Sequence, residues 1–263
     1  MSPSSKSFYQ NNGYVVFKKV YKKSKCDEIK KIILTICDNK FSQMLNVHRE
    51  DFLLAQNLNK INSIKNLAQK TDKINNLKKI SKYFLSITRD LKFVKKLNHL
   101  YDREVVGLQS QIIIKKPGSL FGKQSYNPHQ DNSYAKNKKG LFFTTHLFLE
   151  KATKRNGTLF VYPKTHKLGL LKFNSNKSFD NLKNAGNKID IKEMEKKYKK
   201  TYINAEPGDF VVLHGHCVHG SSVNTSKTLS RMVYTTCCIP KGEKFLSGKN
   251  ARREVFSLKK WVT

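Results

Sequence analysis

Acidic residues are scarce in this chain of 263 residues, which has 19 Asp and Glu against 51 Lys and Arg and a formal net charge of +32. Three explanations stay open. One is coding bias, because Lys, Asn and Ile are abundant together while only seven of the basic residues are Arg. Another is an anionic substrate drawn by a positive field, and the third is a nucleic acid. Because the lysines are scattered, without a basic tail or an aromatic–basic repeat, coding bias is the preferred interpretation and an anionic small molecule comes next.

Long apolar runs are also missing. No stretch of about eighteen apolar residues is present, so no transmembrane helix is predicted, and residues 1–6 lack the apolar core of a secretion signal. The five cysteines include no C-x-x-C pair with zinc-ligand spacing. An odd number of cysteines without a disulfide framework is typical of a reducing compartment. We therefore expect a cytoplasmic protein with no membrane partner.

Linkers and internal repeats are absent, and the length fits one β-rich domain. We expect a single domain over residues 1–263, with a helical buttress mostly over residues 21–100. Ser24–Asp27 resembles a capping box before apolar residues at helical spacing. The stretch from about Phe41 to Leu100 has few Gly or Pro residues and also shows helical spacing.

From Val105 onward the sequence contains short runs of β-branched and aromatic residues, which are typical of strands. Strands are predicted over residues 13–20, 105–115, 140–150, 158–162, 210–213 and 231–239, which places a β core over about residues 105–240. Residues 168–200 are rich in Lys and Asn and predict a loop with one short helix. This insertion is either a substrate lid or a solvated excursion, and the lid is the preferred interpretation. The sequence therefore predicts a mainly β fold with flanking helices.

The triplet His129-Gln130-Asp131, together with His219 far downstream, has the ligand pattern of a two-histidine, one-carboxylate metal site. Such a site holds one face of an octahedral Fe(II) and leaves the other face open. In an extended strand, residues i and i+2 point to the same face, so His129 and Asp131 can reach one ion. The triplet alone is weak, because it also fits a surface loop over residues 127–133.

A predicted strand after His219 carries Arg231, which shares one face with Val233 and Thr235. A buried Arg needs an anionic partner, and its guanidinium offers a bidentate pair of hydrogen bonds to a carboxylate. Arg231 lies twelve residues after His219, on what is expected to be the paired strand. The alternative is a surface position on that strand.

The order of these motifs resembles the phytanoyl-CoA hydroxylase (PhyH) family of Fe(II)/2-oxoglutarate dioxygenases. The triplet at 129–131 is followed by Tyr134, and Asn156–Lys167 is similar to the family segment N-G-x-L-x-x-x-P-G-[ST]-H-K, except that Lys164 stands where the family usually has Gly. An ordered set further along also fits: Gly208, Asp209, His214, His219, Ser221, Asn224, Ser226 and Arg231. With the N-terminal segment Asn12–Phe17, the resemblance covers nearly the whole chain.

The resemblance implies a double-stranded β-helix, a cupin-like jelly-roll core buttressed by N-terminal α-helices. It implies that His129, Asp131 and His219 hold Fe(II), with 2-oxoglutarate and O2 as co-substrates, and that Arg231 and Ser221 bind the far carboxylate of 2-oxoglutarate. The implied reaction hydroxylates a C–H bond of a small metabolite and releases succinate and CO2. Related halogenases have a small residue in place of the carboxylate, so Asp131 favours hydroxylation.

Four further side chains are candidates for the pocket. Gln111 can reach a co-substrate oxygen or is an edge-strand amide. His146 shares a strand face with Thr144 and Phe148, and it contacts the co-substrate or is a structural histidine. Tyr126 and Tyr134 line the substrate cavity or its rim.

Two other classes of function stay open. The first is a non-catalytic jelly-roll protein, or one that binds another metal such as zinc; the complete triad with Arg231 argues against it. The second is a basic nucleic-acid-binding protein, which explains the charge but none of the motifs. We expect a small-molecule substrate, with an anionic metabolite favoured by the charge, and the sequence gives no oligomeric state.

Overall fold

The computed structural model describes residues 3–38, 47–49, 71–75, 82–119, 122–173, 184–185, 189–248 and 253–259. The α-helices in these ranges are α1 (Pro3–Asn12), α2 (Lys23–Asp38), α3 (Lys82–Thr88), α4 (Leu91–Tyr101), α5 (Asn132–Ala135) and α6 (Lys192–Lys197). The strands are β1 (Tyr14–Phe17), β2 (Val47–Arg49), β3 (Thr71–Asn75), β4 (Val105–Lys115), β5 (Ser125–His129), β6 (Phe143–Phe148), β7 (Leu159–Val161), β8 (Asn184–Ala185), β9 (Thr201–Tyr202), β10 (Phe210–His214), β11 (His219–Ser221), β12 (Arg231–Pro240) and β13 (Phe256–Ser257).

The strands form two sheets. The larger has the order β1-β10-β6-β12-β4-β3-β2, with β13 also paired to β4, and the smaller has the order β8-β5-β11-β7-β9. Among the described strand pairs only β5 with β8 is parallel. The centre of the large sheet is the long antiparallel ladder between β4 and β12, which runs from Arg231 opposite Lys115 to Pro240 opposite Val105. Strands far apart in sequence are therefore neighbours in both sheets.

Apolar side chains on the two faces of the large sheet form separate clusters. On β10, Phe210 and Val212 pack with the helices in one cluster, while Val211 and Leu213 pack against residues of the small sheet, including Leu159, in another. This alternation follows from the two-residue period of a strand. The helices therefore cover the outer face of the large sheet, and the inner face encloses the space between the sheets.

Helix α4 shows how the sequence builds this outer layer. Asp90 caps its N-terminus, because the side chain accepts a hydrogen bond of 2.8 Å from the backbone N–H of Lys92. The buried residues of the helix are Phe93, Val94, Leu97 and Leu100, spaced so that they lie on one face. Each contributes about 1.5–3 kcal/mol on burial, so packing against the sheet outweighs the capping contribution.

The prediction of a mainly β fold with flanking helices is confirmed, and β4 has the predicted bounds. The helical interpretation of residues 41–100 is wrong in part, since 47–49 and 71–75 are strands. Strand β3 pairs with β4, so sheet pairing overrides the local apolar spacing there. The parts 41–46, 50–70 and 76–81 lie outside the described residues. Helix α2 begins at Lys23, one residue before the proposed capping box.

In its described residues, the insertion at 168–200 contains the short helix α6, as predicted, and also the short strand β8, which was not predicted. The cysteines Cys26, Cys217, Cys237 and Cys238 are buried free thiols. Within the described residues, none of the helices combines the length and the apolar character needed to cross a bilayer.

The turn before β10 depends on a glycine and a buried carboxylate. Gly208 has a φ of +92°, and a Cβ at this position would overlap the carbonyl oxygen of Tyr21. Asp209 is 1% exposed and accepts hydrogen bonds from the backbone N–H groups of Lys19 and Glu206, each at 2.9 Å. The turn therefore ties the loop after β1 to the start of β10.

We predict that Gly208→Ala lowers the free energy of unfolding by about 3 kcal/mol or more, because a left-handed backbone strain of about 1–2 kcal/mol is added to a clash with backbone atoms. Gly242→Ala is the matched control. Gly242 has a φ of +86° but open space around it, so only the conformational strain applies. Urea unfolding of both variants measures the difference, and equal losses would contradict the proposed clash.

Candidate metal centre

Two histidines from distant parts of the chain are neighbours on the small sheet. His129 ends β5 and His219 begins β11, and the two residues are directly opposite in the antiparallel ladder. Their ring centroids are 4.4 Å apart. The register of one strand pair therefore brings together the two imidazoles that the sequence placed 90 residues apart.

Asp131 reaches the same point by a different route from the one expected. It does not continue the strand: its φ of −62° and ψ of −30° are helical, and it occupies the residue before α5. The expectation that His129 and Asp131 share a strand face is therefore wrong, although their side chains do meet. The Asp131 carboxylate lies 3.4 Å from His129 Nε2 through Oδ1 and 3.4 Å from His219 Nε2 through Oδ2.

The two imidazoles are oriented by backbone carbonyls. His129 Nδ1 is 2.6 Å from the carbonyl oxygen of Asn127, and His219 Nδ1 is 3.0 Å from that of Cys217. A carbonyl only accepts, so each Nδ1 donates, and the neutral form of each ring has its lone pair on Nε2. Both lone pairs therefore point at the Asp131 carboxylate.

This arrangement fits a metal ion. Two lone pairs and a carboxylate facing one another repel unless a cation lies among them, and the three ligand atoms all lie within 4.8 Å of one another. Adjacent ligands of an ion with bonds of about 2.1 Å lie about 3 Å apart, close to the distances found. Two nitrogen donors and one carboxylate oxygen suit Fe(II) and leave other coordination positions open.

Burial and the neighbouring groups set the protonation of His219 and Asp131. Burial lowers the pKa of His219, with Asp131 opposing the shift, so the ring is neutral at pH 7 as metal binding requires. Burial alone would raise the pKa of Asp131, but His219, His129 and the hydrogen bond from Thr144 outweigh it and hold the pKa below its usual range. The Asp131 side chain is 16% exposed against 8% and 4% for the two histidines, so the centre is most open beside the carboxylate.

Thr144 and Gln130 hold the loop that carries Asp131, and the sequence analysis assigned neither residue a role. Thr144 on β6 donates to Asp131 Oδ2 at 2.6 Å. The sequence pattern that could have identified it is that Thr144 shares a strand face with His146. The amide of Gln130 donates to the carbonyls of His216 at 2.6 Å and Gly169 at 2.8 Å. The middle residue of the triplet therefore anchors the loop to the segment before β11 and to the start of the 168–200 insertion.

Buried polar atoms without partners lie on the strands around the centre. Among the described residues, Arg231 Nε, Ser221 Oγ and His146 Nε2 have no hydrogen-bond partner. Burial lowers the pKa of Arg231 to about 10, so the guanidinium is still charged at pH 7. Burial lowers the pKa of His146 to about 3, so that ring is neutral. Unpaired buried polar atoms are rare and costly, and these three indicate a missing polar ligand.

Arg231 does not lie on a strand paired with β11, as expected from sequence. Its strand β12 pairs with β4 and β6 in the large sheet, so Arg231 comes from the sheet opposite the one that carries the two histidines. In the same sheet, Gln111, Thr235 and His146 form one row across β4, β12 and β6. The Thr235 hydroxyl lies 3.1 Å from His146 Nδ1. The half-buried Gln111 is therefore aligned with His146 on the inner face.

The two candidate tyrosines flank one of the histidines. The rings of Tyr126 and Tyr134 each lie 6.2 Å from the ring of His129, measured between centroids. Tyr126 is opposite Ser221 in the β5–β11 ladder and lies close enough to Arg231 to act on its pKa. Tyr126 therefore stands at the Arg231 side of the centre, whereas Tyr134 belongs to α5, next to Asp131.

Comparison with known proteins finds relatives described as phytanoyl-CoA dioxygenases. The family model described as phytanoyl-CoA dioxygenase (PhyH) matches residues 9–233. Phytanoyl-CoA dioxygenase 1 of Oryza sativa subsp. japonica is 34% identical over 127 residues, covering 48% of this chain and 42% of the rice protein. Phytanoyl-CoA dioxygenase of Arabidopsis thaliana is 29% identical over 155 residues, covering 58% and 50%. The chain thus spans about half the length of these two curated relatives.

Solved structures share the fold. EctD from S. alaskensis in its apoform has a TM-score of 0.72 at 15% identity, covering 94% of this chain and 80% of EctD. The carbocyclase SnoK from nogalamycin biosynthesis has a TM-score of 0.68 at 13% identity, covering 96% of both chains. Other EctD structures contain bound Fe, or 2-oxoglutarate with 5-hydroxyectoine. These likenesses confirm the predicted jelly-roll core.

The family match extends over most of the chain and includes all three residues of the metal centre and Arg231. It also agrees with the family to which the ordered motifs were similar. The chain belongs to the phytanoyl-CoA dioxygenase (PhyH) family.

Proposed function

We propose that this protein is an Fe(II)- and 2-oxoglutarate-dependent dioxygenase that hydroxylates a C–H bond of a small metabolite and releases succinate and CO2. One observation carries the proposal: His129, Asp131 and His219 converge with both Nε2 lone pairs facing the carboxylate. Membership of the PhyH family and the iron and 2-oxoglutarate bound by EctD support it.

His129, Asp131 and His219 would hold the iron, which when bound supplies the redox chemistry of oxygen activation. The remaining work falls to the chain. The Asn127 and Cys217 carbonyls fix the imidazole tautomers, and burial of the two rings keeps bulk water from their lone pairs.

Arg231 and Ser221 would bind the far carboxylate of 2-oxoglutarate. The guanidinium is 2% exposed, makes no ion pair with any carboxylate in the described residues, and leaves Nε unpartnered. A carboxylate at this place would accept from Arg231 Nε and from the Ser221 hydroxyl, which is also unpartnered. His146 and Gln111 line the same inner face and are candidates for the other oxygens of the co-substrate.

The carboxylate of Asp131 would occupy a coordination position on the iron, so hydroxylation is the proposed outcome rather than halogenation. The substrate class is proposed only as a small metabolite, with an anionic one favoured by the net charge of +32. Tyr126 and Tyr134, on either side of His129 in sequence, are proposed to contact it. A single domain over residues 1–263, a lid formed by residues 168–200 and a cytoplasmic location complete the proposal.

We predict that His219→Ala weakens Fe(II) binding by at least about 100-fold, because one of three protein ligands is lost. His99→Ala on α4 is the control, since that histidine is half-buried and belongs to the outer helical layer. Anaerobic calorimetric titration measures both affinities. Wild-type protein that binds no Fe(II) while correctly folded would contradict the metal centre itself.

We predict that Thr144→Val weakens Fe(II) binding about 10-fold, because the isosteric valine cannot donate to Asp131 Oδ2 and the carboxylate loses its orientation. Thr145→Val is a matched control on the same strand, where the hydroxyl instead bonds to the carbonyl of Thr236 at 3.3 Å. The same titration applies. If both variants bind iron alike, Thr144 has no part in holding the carboxylate.

We predict that Arg231→Leu weakens 2-oxoglutarate binding about 100-fold, as expected when a buried charged pair loses one partner, and leaves Fe(II) affinity nearly unchanged. The measurement is the weak visible charge-transfer absorption of anaerobic protein with Fe(II) and 2-oxoglutarate. Arg103→Leu, which removes an exposed arginine paired with Glu243, is the control. Absence of the absorption in folded wild-type protein would refute the proposed function.

A further inference from the structure

Lys115, the last residue of β4, is completely buried. Its aliphatic stem packs against Gly157, where a Cβ would meet Lys115 Cδ at 2.8 Å. Its own carbonyl accepts a hydrogen bond of 2.9 Å from the Asn224 side chain. Lysines are almost never fully buried unless paired with an anion, so this residue needs an explanation that the metal centre does not provide.

The Lys115 ammonium group has carbonyls as partners and no carboxylate. Nζ donates to the carbonyl of Gln124 at 2.8 Å and to that of Ser222. No carboxylate of the described residues lies within ion-pair distance. A charged amine has three N–H donors, so one donor remains without a partner in the described part of the chain, whereas both N–H donors of a neutral amine would be satisfied.

A second buried cation lies beside it. Lys115 is directly opposite Arg231 in the β4–β12 ladder, and directly opposed residues place their side chains on the same face, with Cβ atoms about 5 Å apart. Two like charges at such positions destabilise each other. Tyr126 and Glu150 are the other titratable groups that act on Arg231, and neither pairs with Lys115. Two buried basic side chains therefore lie side by side, and neither forms an ion pair with a carboxylate of the described residues.

The contacts of Lys115 also connect the elements that surround this site. Ser222 follows Ser221, the candidate ligand at the end of β11, and Gln124 precedes β5, which leads to His129. Through two hydrogen bonds, Lys115 connects the residue before β5 and the residue after β11, two of the five strands of the small sheet, to β4 of the large sheet. Ser221 and Arg231, which come from opposite sheets, are held at a set separation by this contact.

We propose that Lys115 is a positioning residue for the co-substrate: it holds Ser221 in place relative to Arg231 and adds a second positive charge, so that the site selects 2-oxo acids that end in a carboxylate. The inference rests on the proposed function and extends it, because the co-substrate specificity is assigned to a pair of cations instead of Arg231 alone.

A proton is expected to move when the co-substrate binds. Burial, followed by the charge of Arg231, holds the pKa of Lys115 well below its usual range. A carboxylate placed beside it stabilises the charged form and raises the pKa. Free protein with a neutral Lys115 would therefore take up as much as one proton on binding 2-oxoglutarate.

Calorimetry of the Fe(II)-loaded protein under anaerobic conditions tests the proposal. We expect Lys115→Met to weaken 2-oxoglutarate binding about tenfold or more, and to change little the affinity for 2-oxopentanoate, which has the same chain length without the far carboxylate. Titrations in two buffers of different ionisation enthalpy should show proton uptake by the wild type and less by the variant. Lys116→Met, which removes the charge of the half-buried neighbour, should behave as the wild type.

Lys115→Gln keeps a hydrogen-bond donor while removing the charge, and it replaces the Met variant if that variant fails to fold. A variant that binds 2-oxoglutarate as tightly as the wild type, or that loses affinity for both 2-oxo acids equally, would overturn the selective role of Lys115. Wild-type protein that binds Fe(II) but not 2-oxoglutarate would instead overturn the proposed function on which the role depends.

Discussion

The pairing of β5 with β11 is the contact on which the rest of the structure depends. It places His129 opposite His219 and sets the two imidazole lone pairs toward one point, where the helical turn after β5 adds Asp131. Neither strand is strong by itself, since β11 has three residues and β5 contains a proline. The large sheet supplies the rigidity: β4, β12, β6 and β10 form its continuous centre, and the helices cover its outer face.

The space between the sheets contains buried basic and polar groups, whereas an ordinary core is apolar. Apolar packing at one end, formed by residues such as Phe148 and Val233, gives way to Arg231, Lys115 and several unpartnered polar atoms. Burying such groups is unfavourable unless a ligand completes their hydrogen bonds. These unpaired groups lower the stability of the free protein. Bound metal and co-substrate would pair with them and would therefore stabilise the folded state.

Sequence reasoning found the parts of this design that leave a local pattern. The strands at β4 and β12 follow from β-branched runs, and the ligands follow from an ordered set of motifs. It failed where tertiary structure decides. Asp131 lies on a helical turn and not on a strand, because the loop is held by Gln130 bonding to residues about 40 and 86 positions away. Strand β3 forms because it pairs with β4, and β2 forms because it pairs with β3. Nothing in the sequence distinguishes Lys115 from the other lysines, because its burial is set by the fold.

Most lysines of this chain reflect its composition, whereas the buried Lys115 does not. Four non-glycine residues in the described ranges have positive φ, and three of them are Lys19, Lys136 and Lys164; Gly, Asn and Asp suit that conformation better. At Lys164 the family usually has Gly. A chain that places lysine even where the backbone disfavours it is responding to composition, so composition accounts for much of its lysine content. Burial reverses this inference for Lys115, because a fully buried cation costs far more than a strained turn, and a compositional preference does not account for it.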